Sequence, residues 1–360
     1  MQKNDKIYVA GHRGLVGSAL VAGLRREGYD NLLLPSRTEL DLTRQPAVEI
    51  FFAREKPDYV FLAAAKVGGI YANLTRSADF IYENLMIQTN VLRAAALNQV
   101  KKLIFLGSSC IYPRLAPQPI REEYLLNGPL EPTNSAYAVA KIAGIEMCNS
   151  FNQQYGTNFV PVMPTNLYGP NDNYDLLSSH VLPALIRKFH LAKLAAAGND
   201  ALLAADERRY GEIPVDFYAN LRRIAAAHGR GLPSREGGDV AGKAAFLEPT
   251  AVELWGSGQP RREFLYVDDL ASALLFVMNE YKERELLNIG SGIDHSIREL
   301  AEIVREIVGY AGGIVFDATH PDGMPRKLLD SSRLHGFGWR PRFTLKEGIH
   351  AAYASYLKGT

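Results

Sequence analysis

The sequence predicts an α/β fold, a doubly wound parallel sheet with a smaller C-terminal α/β lobe. Three observations carry this. Short apolar runs alternate with amphipathic stretches through the first half of the chain, as βαβ units do. A glycine cluster, GHRGLVG at 11–17, stands between the first apolar run and the first helical stretch. The 360 residues also suffice for two lobes, taking roughly 150 residues for each.

The elements follow in order. Residues 6–10 read as the first strand and 15–27 as the first helix. Residues 32–35 give a second strand, a helix follows near 46–55, and 59–64 and 103–107 read as central strands. Residues 78–99 place Phe80, Ile81, Leu85, Ile87, Val91 and Leu92 at helical spacing. A second long helix is predicted over 135–155 and a strand over 158–163.

From about Asn171 the pattern loosens. A helix is predicted over 179–197, and 196–249 is alanine-rich with a Gly/Pro/Ser-rich tail at 229–242. Within it, 216–228 is amphipathic, with Phe217, Leu221, Ile224 and Ala225 on one side, Asp216 as N-cap and Gly229 as the stop. Residues 262–277 return to a strand-then-helix pattern, 287–292 read as a turn, and 296–308 as a helix. The predicted organisation is a dinucleotide-binding domain at 1–170, completed by about 262–288, and a substrate lobe from 171–261 and 289–360. The segment 196–249 is a helical insertion. Packing or an oligomer contact is its plainer role, a lid over substrate the other.

Composition excludes several classes. The chain is 47% hydrophobic and 22% charged with net charge +1, which gives no reason to expect a nucleic-acid or membrane-surface partner. No apolar run approaches the ~20 residues of a membrane span. Residues 1–6 pass directly into the first strand, leaving no room for the core of a signal peptide. Two cysteines, Cys110 and Cys148, allow neither a disulfide framework nor a zinc-type cluster. A cytoplasmic protein without a metal is expected.

Gly11, Gly14 and Gly17 follow a strand and open a helix, the context of a Rossmann-type site. Such glycines let the backbone approach a pyrophosphate, and free N–H groups at the helix start receive its charge. His12, Arg13, Leu15 and Val16 share this loop. An NAD enzyme usually ends its second strand on an acid that holds the ribose 2′-hydroxyl, whereas NADP needs a cation. Here the strand runs into Pro35, Ser36 and Arg37, with no acid before Glu39. Arg37 and Arg13 can grip a phosphate as guanidinium forks, so NADP(H) is predicted. The other reading of Arg37 is a solvated loop residue.

Tyr137 and Lys141 stand at i and i+4, on one helical face. A tyrosine near its ordinary pKa of ~10 needs a neighbouring cation to exchange protons around neutrality, and Lys141 can supply that field. Ser108, just beyond a central strand, can hydrogen-bond the same carbonyl oxygen. These residues, joined to the glycine loop, predict a carbonyl reductase of the short-chain type.

The chain resembles the extended short-chain dehydrogenase/reductases, and among them the GDP-L-fucose synthase family. The blocks that carry the resemblance are AGHRGLVGSA (10–19), FLAAAKVGGI (61–70), FLGSSCIYP (105–113), EPTNSAYAVAKIAGI (131–145) and VMPTNLYGPND (162–172). They continue with SHVLPALIRKFH (179–190), WGSGQPRREFLYVDDLA (255–271) and PDGMPRKLLD (321–330). Nearly the whole chain is covered except 196–249, which is longer than in the plainest members.

The resemblance implies a catalytic set of Ser108, Cys110, Tyr137, Lys141 and His180, with Cys110 as base and His180 as acid in epimerisation. Taken alone, Cys110 also reads as a small buried hydrophobe and His180 as a cap or core residue. Dehydratases of the superfamily carry Thr-Asp-Glu where this chain has Ser108, Ser109 and Cys110, so water elimination is not expected. The resemblance also implies cofactor contacts from Asp41, Leu42, Leu106, Gly107, Pro164, Thr165, Asn166, Leu167 and His180. It implies substrate contacts from Lys188, Trp255, Arg262, Asp322 and Lys327. Lys188 stands where arginine is more usual, keeping the charge but losing the bidentate fork. The alternatives for these five are a solvated cation, a core aromatic and a turn aspartate.

The implied activity is NADPH-dependent conversion of GDP-4-dehydro-6-deoxy-D-mannose to GDP-L-fucose, by 3,5-epimerisation and 4-keto reduction. The alternatives are a GDP-6-deoxy-heptose 4-reductase/epimerase of the same family and a non-catalytic NADP-binding scaffold. The intact Ser108, Tyr137 and Lys141 count against the scaffold. A homodimer through a four-helix bundle of the two long helices is expected.

Overall fold

The computed structural model describes residues 1–234, 248–320 and 322–358. Its N-terminal elements are β1 (Ile7–Ala10), α1 (Leu15–Arg26), β2 (Leu32–Leu33), α2 (Gln45–Glu55), β3 (Tyr59–Leu62), α3 (Ile70–Thr75), α4 (Ser77–Leu97), β4 (Lys102–Leu106), α5 (Ser135–Tyr155) and β5 (Phe159–Pro164). The chain continues with β6 (Asn166–Tyr168), α6 (Val181–Ala197), α7 (Asp200–Tyr210), α8 (Val215–Ala227), β7 (Val252–Trp255), β8 (Arg261–Tyr266) and α9 (Val267–Glu280). It ends with β9 (Leu287–Ile289), β10 (Asp294–Ser296), α10 (Ile297–Val308), β11 (Ile314–Asp317), β12 (Arg326–Lys327), α11 (Ser332–Gly336) and α12 (Leu345–Lys358).

Strands β1, β4 and β5 are buried along their whole length, as strands covered on both faces must be. They belong to a six-stranded sheet in the order β2-β1-β3-β4-β5-β9, with every pairing parallel. Leu20 and Leu24 of α1 and Leu270 and Leu274 of α9 pack on one face. Val48 and Phe52 of α2, Val91 and Leu92 of α4, and Ile145 and Cys148 of α5 cover the other. The order reverses between β1 and β3, the switch point where doubly wound sheets bind ligands.

Two sequence expectations need correction here. Residues 287–292 do not form only a turn, because Leu287–Ile289 is the sixth strand, paired with β5. Three fully buried residues are too few to show a period, and the polar Asn288 among them breaks the apolar run. Its side chain is satisfied by the Tyr112 hydroxyl at 2.6 Å and the Ile120 carbonyl at 3.0 Å. The second strand is also shorter than expected, ending at Leu33 before Pro35, which has no N–H for a ladder.

In a second sheet β8 pairs antiparallel with β10 and parallel with β12 and β6, while β11 and β7 form a separate parallel pair. Helices α6, α8, α10 and α12 share one core. Ser296 and Glu299 form a reciprocal capping box at the start of α10, and Gly309 ends the helix at φ +73°.

The described part of the 196–249 segment forms α7 and α8; its residues 235–247 lie outside the described residues. Phe217, Leu221, Ile224 and Ala225 are buried, as their spacing predicted, and Gly229 follows the C-cap at φ +68°. Asp216 does not cap α8: Pro214 holds that position and Asp216 lies in the first turn.

A buried clasp ties α7 down. Arg187 of α6, fully buried, donates from Nε to Asp206 Oδ1 at 2.8 Å and from Nη1 to the carbonyls of Tyr174 and Tyr210 at 3.2 and 2.9 Å. The Tyr356 hydroxyl donates to the other Asp206 oxygen. Removing one partner of a buried pair leaves the other charge uncompensated, so Asp206→Ala is expected to lower unfolding stability by about 3–5 kcal/mol. Denaturant melts check this, and a loss under about 1 kcal/mol would place the pair at a solvated surface instead.

Candidate active site

The glycine loop crosses the switch point with no room for a side chain at Gly11 or Gly17. A Cβ on Gly11, whose φ is +84°, would lie 2.8 Å from the backbone N of Ala64, and one on Gly17 would lie 2.1 Å from the Gly11 carbonyl oxygen. Gly14 is the N-cap of α1, with no side-chain cap and no acid in the first turn. The helix therefore presents uncapped amides and its positive end to this loop. This cradle fits the pyrophosphate of a dinucleotide.

Beyond β2 the first acid in the chain is already engaged. Glu39 accepts from the backbone N and hydroxyl of Ser36 at 2.7 and 2.6 Å. Those two bonds hold its carboxyl below its ordinary value, with Arg13 adding to the effect. Burial, then Arg13, lowers the His12 ring. Arg37 is exposed and pairs in this structure with Glu83 of α4 at 3.5 Å. Asp41 accepts from Thr43, and the Leu42 carbonyl accepts from Asn90 of α4 at 2.9 Å, which fixes the turn after β2.

Gly107 follows β4, and a Cβ there would collide with Met163. Lys141, buried on α5, donates from Nζ to the Leu106 carbonyl at 2.8 Å. Burial pulls its pKa down to about 7. Its Nζ is 5.9 Å from the centroid of the Tyr137 ring, which Phe80 of α4 meets edge-on. Burial pushes the Tyr137 phenol up, the charge of Cys110 adds to that, and the Ser108 hydroxyl opposes it. Thr165 and Asn166, after β5, both bond the Glu263 carbonyl, the latter at 2.7 Å. Pro164 closes β5, and Leu167 packs into the core beneath.

Ser108 also shapes the turn that carries the thiol, its Oγ accepting from Cys110 N at 3.3 Å. Lys327 of β12 is buried and donates from Nζ to Cys110 Sγ at 3.4 Å. Burial alone would raise the thiol, but Lys327 foremost, then Ser108, and Arg262 outweigh it and hold the pKa below the ordinary value. His180, the N-cap of α6, is exposed at the surface, yet the protein around it and then Lys327 lower its pKa. One ammonium thus acts on both groups expected to move protons. The sequence alone places Lys327 only among the substrate cations.

The remaining predicted residues lie outside the six-stranded sheet. Arg262 is paired with Lys327 across the strands and donates to the carbonyls of Arg261 and Met324 at 2.8 and 2.6 Å. Asp322 is exposed and accepts from the backbone N and hydroxyl of Ser257. Trp255, 59% exposed, stacks on His320 with centroids 4.4 Å apart. Lys188 Nζ lies 5.9 Å from the Trp255 ring centroid and 4.9 Å from that of Phe217. Among the described residues no group of His, Cys, Asp and Glu could hold a metal ion, and no helix is long and apolar enough to cross a membrane.

The arrangement couples a dinucleotide cradle to a Ser/Tyr/Lys group, with a cation-bound thiol beside it. Comparisons with known proteins give the family. A model of the NAD dependent epimerase/dehydratase family matches residues 7–209 and 234–290. GDP-L-fucose synthase 1 of Arabidopsis thaliana is 50% identical, over 99% of this chain and 94% of the plant protein. The solved GDP-6-OMe-4-keto-L-xylo-heptose reductase of Campylobacter jejuni superposes with a TM-score of 0.85 at 42% identity, covering 100% of this chain and 99% of that one. The GDP-mannoheptose C4 reductase of Campylobacter jejuni with NADP bound gives 0.80 at 42% identity, with 99% of each chain covered. The chain belongs to the NAD dependent epimerase/dehydratase family and groups within it with the GDP-L-fucose synthases.

Proposed function

We propose that the protein is an NADPH-dependent epimerase-reductase that converts GDP-4-dehydro-6-deoxy-D-mannose to GDP-L-fucose. The observation that carries this reading is the Lys327–Cys110 contact of 3.4 Å beside Ser108 and Tyr137. A plain ketone reductase has no use for an activated thiol.

The chemistry follows from the ketone at C4, which acidifies the C–H bonds at C3 and C5. Cys110, as thiolate, takes a proton from the carbon, and the electron pair moves onto the carbonyl oxygen as an enolate. Ser108 and Tyr137 bind that oxygen. His180, as acid, returns a proton to the opposite face of the carbon. In the reduction Tyr137 protonates the C4 oxygen. Bound NADPH supplies the hydride. Residues 11–17, Arg13, Arg37, Asp41, Leu42, Leu106, Gly107, Lys141, His180 and 164–167 are assigned to hold the cofactor. Arg37 would have to leave Glu83 to meet a 2′-phosphate. Lys188, Trp255, Arg262, Asp322 and Lys327 are assigned to the GDP-sugar.

We assign the cofactor domain to 1–170 with 262–288, and the substrate lobe to 171–261 and 289–360. A homodimer through α4 and α5 is supported by Tyr82, Leu97, Val139 and Tyr155, large apolar side chains exposed on those helices. Cytoplasmic residence is supported by two free cysteines, one of which must stay a thiol to act as base.

Removing the cation should raise the thiol pKa. Base catalysis requires the thiolate and is present above that pKa, so Lys327→Met is expected to move the rising limb of the exchange–pH profile to higher pH. At pH 7 exchange should fall about 10- to 100-fold. An unmoved limb would mean that another group sets the thiol.

A heptose substrate is the second reading, supported by the full-length match to the Campylobacter jejuni heptose reductases. Offering each keto sugar with NADPH and following nicotinamide oxidation decides between them. Faster turnover of the deoxymannose is expected. Faster turnover of the heptose, or none of either, would overturn the first reading.

A further inference from the structure

The α7–α8 segment has no place in the chemistry above, yet it reaches a half-buried cation of the substrate lobe. Lys188 is on α6, and α8 packs against the same helix, with Phe217 and Leu221 in one core with Leu185 and Phe189. This brings the Phe217 ring centroid to 4.9 Å from Lys188 Nζ, on an element that ordinary spacing along α6 would not supply. Trp255 of β7 brings a second ring to 5.9 Å.

The ammonium is otherwise uncommitted. Among the described residues no acceptor lies within hydrogen-bonding distance of it and no carboxylate pairs with it. Asp216 and Glu253 are near enough to favour its charged form, but burial outweighs them and lowers its pKa. A partly desolvated ammonium needs some compensation, and ring faces provide it without using its N–H groups.

We propose that Phe217 is a positioning residue for the nucleoside diphosphate: with Trp255 it brackets the Lys188 ammonium, holding it charged and aimed for phosphate oxygens. The inserted helix α8 thereby completes the anion site. Where arginine would be fixed by its planar fork, a lysine on a flexible stem is fixed by two rings. The proposal rests on the GDP-sugar reading for the identity of the anion.

The test uses GDP itself as the probe, with calorimetry on the full chain, and NADPH affinity as the control for folding. Phe217→Leu keeps apolar volume but removes the ring. It is expected to weaken GDP binding about 3- to 10-fold, to raise KM for the keto sugar in step, and to leave kcat and NADPH affinity near wild type. Phe217→Tyr should restore binding. In a Lys188→Met background, Phe217→Leu should have no further effect, because the two act as one unit. Wild-type GDP affinity in Phe217→Leu, or an equal loss with Lys188 absent, would overturn the proposal. A wild-type protein that binds GDP but turns over no keto sugar would overturn the proposed activity and leave the bracket standing.

Discussion

Replacing Cys110 with serine is expected to slow the exchange of solvent deuterium into C3 and C5 of the keto sugar by about 10²–10⁴-fold, the usual contribution of a positioned base. The substitution keeps size and hydrogen-bonding capacity, so Lys327 retains a partner at the position now 3.4 Å from its Nζ. What changes is basicity: the thiol is held below its ordinary value by Lys327, Ser108 and Arg262 against burial, whereas no such field brings an alkanol into range. NADPH binding should be unaffected, since no residue of the glycine loop is touched. Proton NMR in deuterated water without NADPH reads the exchange directly. Wild-type exchange in Cys110→Ser would transfer the base role to another group.

Tyr137→Phe is expected to slow NADPH oxidation by a similar factor, about 10²–10⁴, with a smaller effect on deuterium exchange. The two stages share one oxygen site but need different things from it. The enolate needs hydrogen-bond donors, and Ser108 remains. The reduced oxygen needs a proton, the part proposed above for the phenol. The ring is held edge-on by Phe80, so removing the hydroxyl leaves the scaffold intact. Stopped-flow nicotinamide absorbance separates the stages. An equal loss in both would mean that Tyr137 acts on the enolate alone.

What could be read from the sequence was what local spacing encodes. Gly11 to Gly17 sits between a strand and a helix, and Tyr137 with Lys141 falls one turn apart on α5. Each of these is visible within a short window. The long-range pairs were not. Lys327 meets Cys110 across 217 positions, brought there by β12, a two-residue strand whose partner is β8. So short a strand leaves no periodicity to detect. Strand β9 was mistaken for a turn for the same reason, with Asn288 disguising a buried position. The Arg37–Glu83 pair, 3.5 Å between a loop and α4, is equally invisible to local spacing. Helix α8 was visible through Phe217, Leu221, Ile224 and Ala225, but α7 was not, because its few buried positions, Leu203 and Asp206, include a carboxylate that the distant Arg187 and Tyr356 make tolerable.

The central claim is that one site both inverts carbons and reduces the ketone. The direct measurement is the stereochemistry of the product formed from GDP-4-dehydro-6-deoxy-D-mannose and NADPH, read from proton coupling constants. The account predicts a C4 alcohol inverted at both C3 and C5, GDP-L-fucose. A C4 alcohol with C3 and C5 unchanged would contradict it, leaving Cys110 and Lys327 without a part in the chemistry.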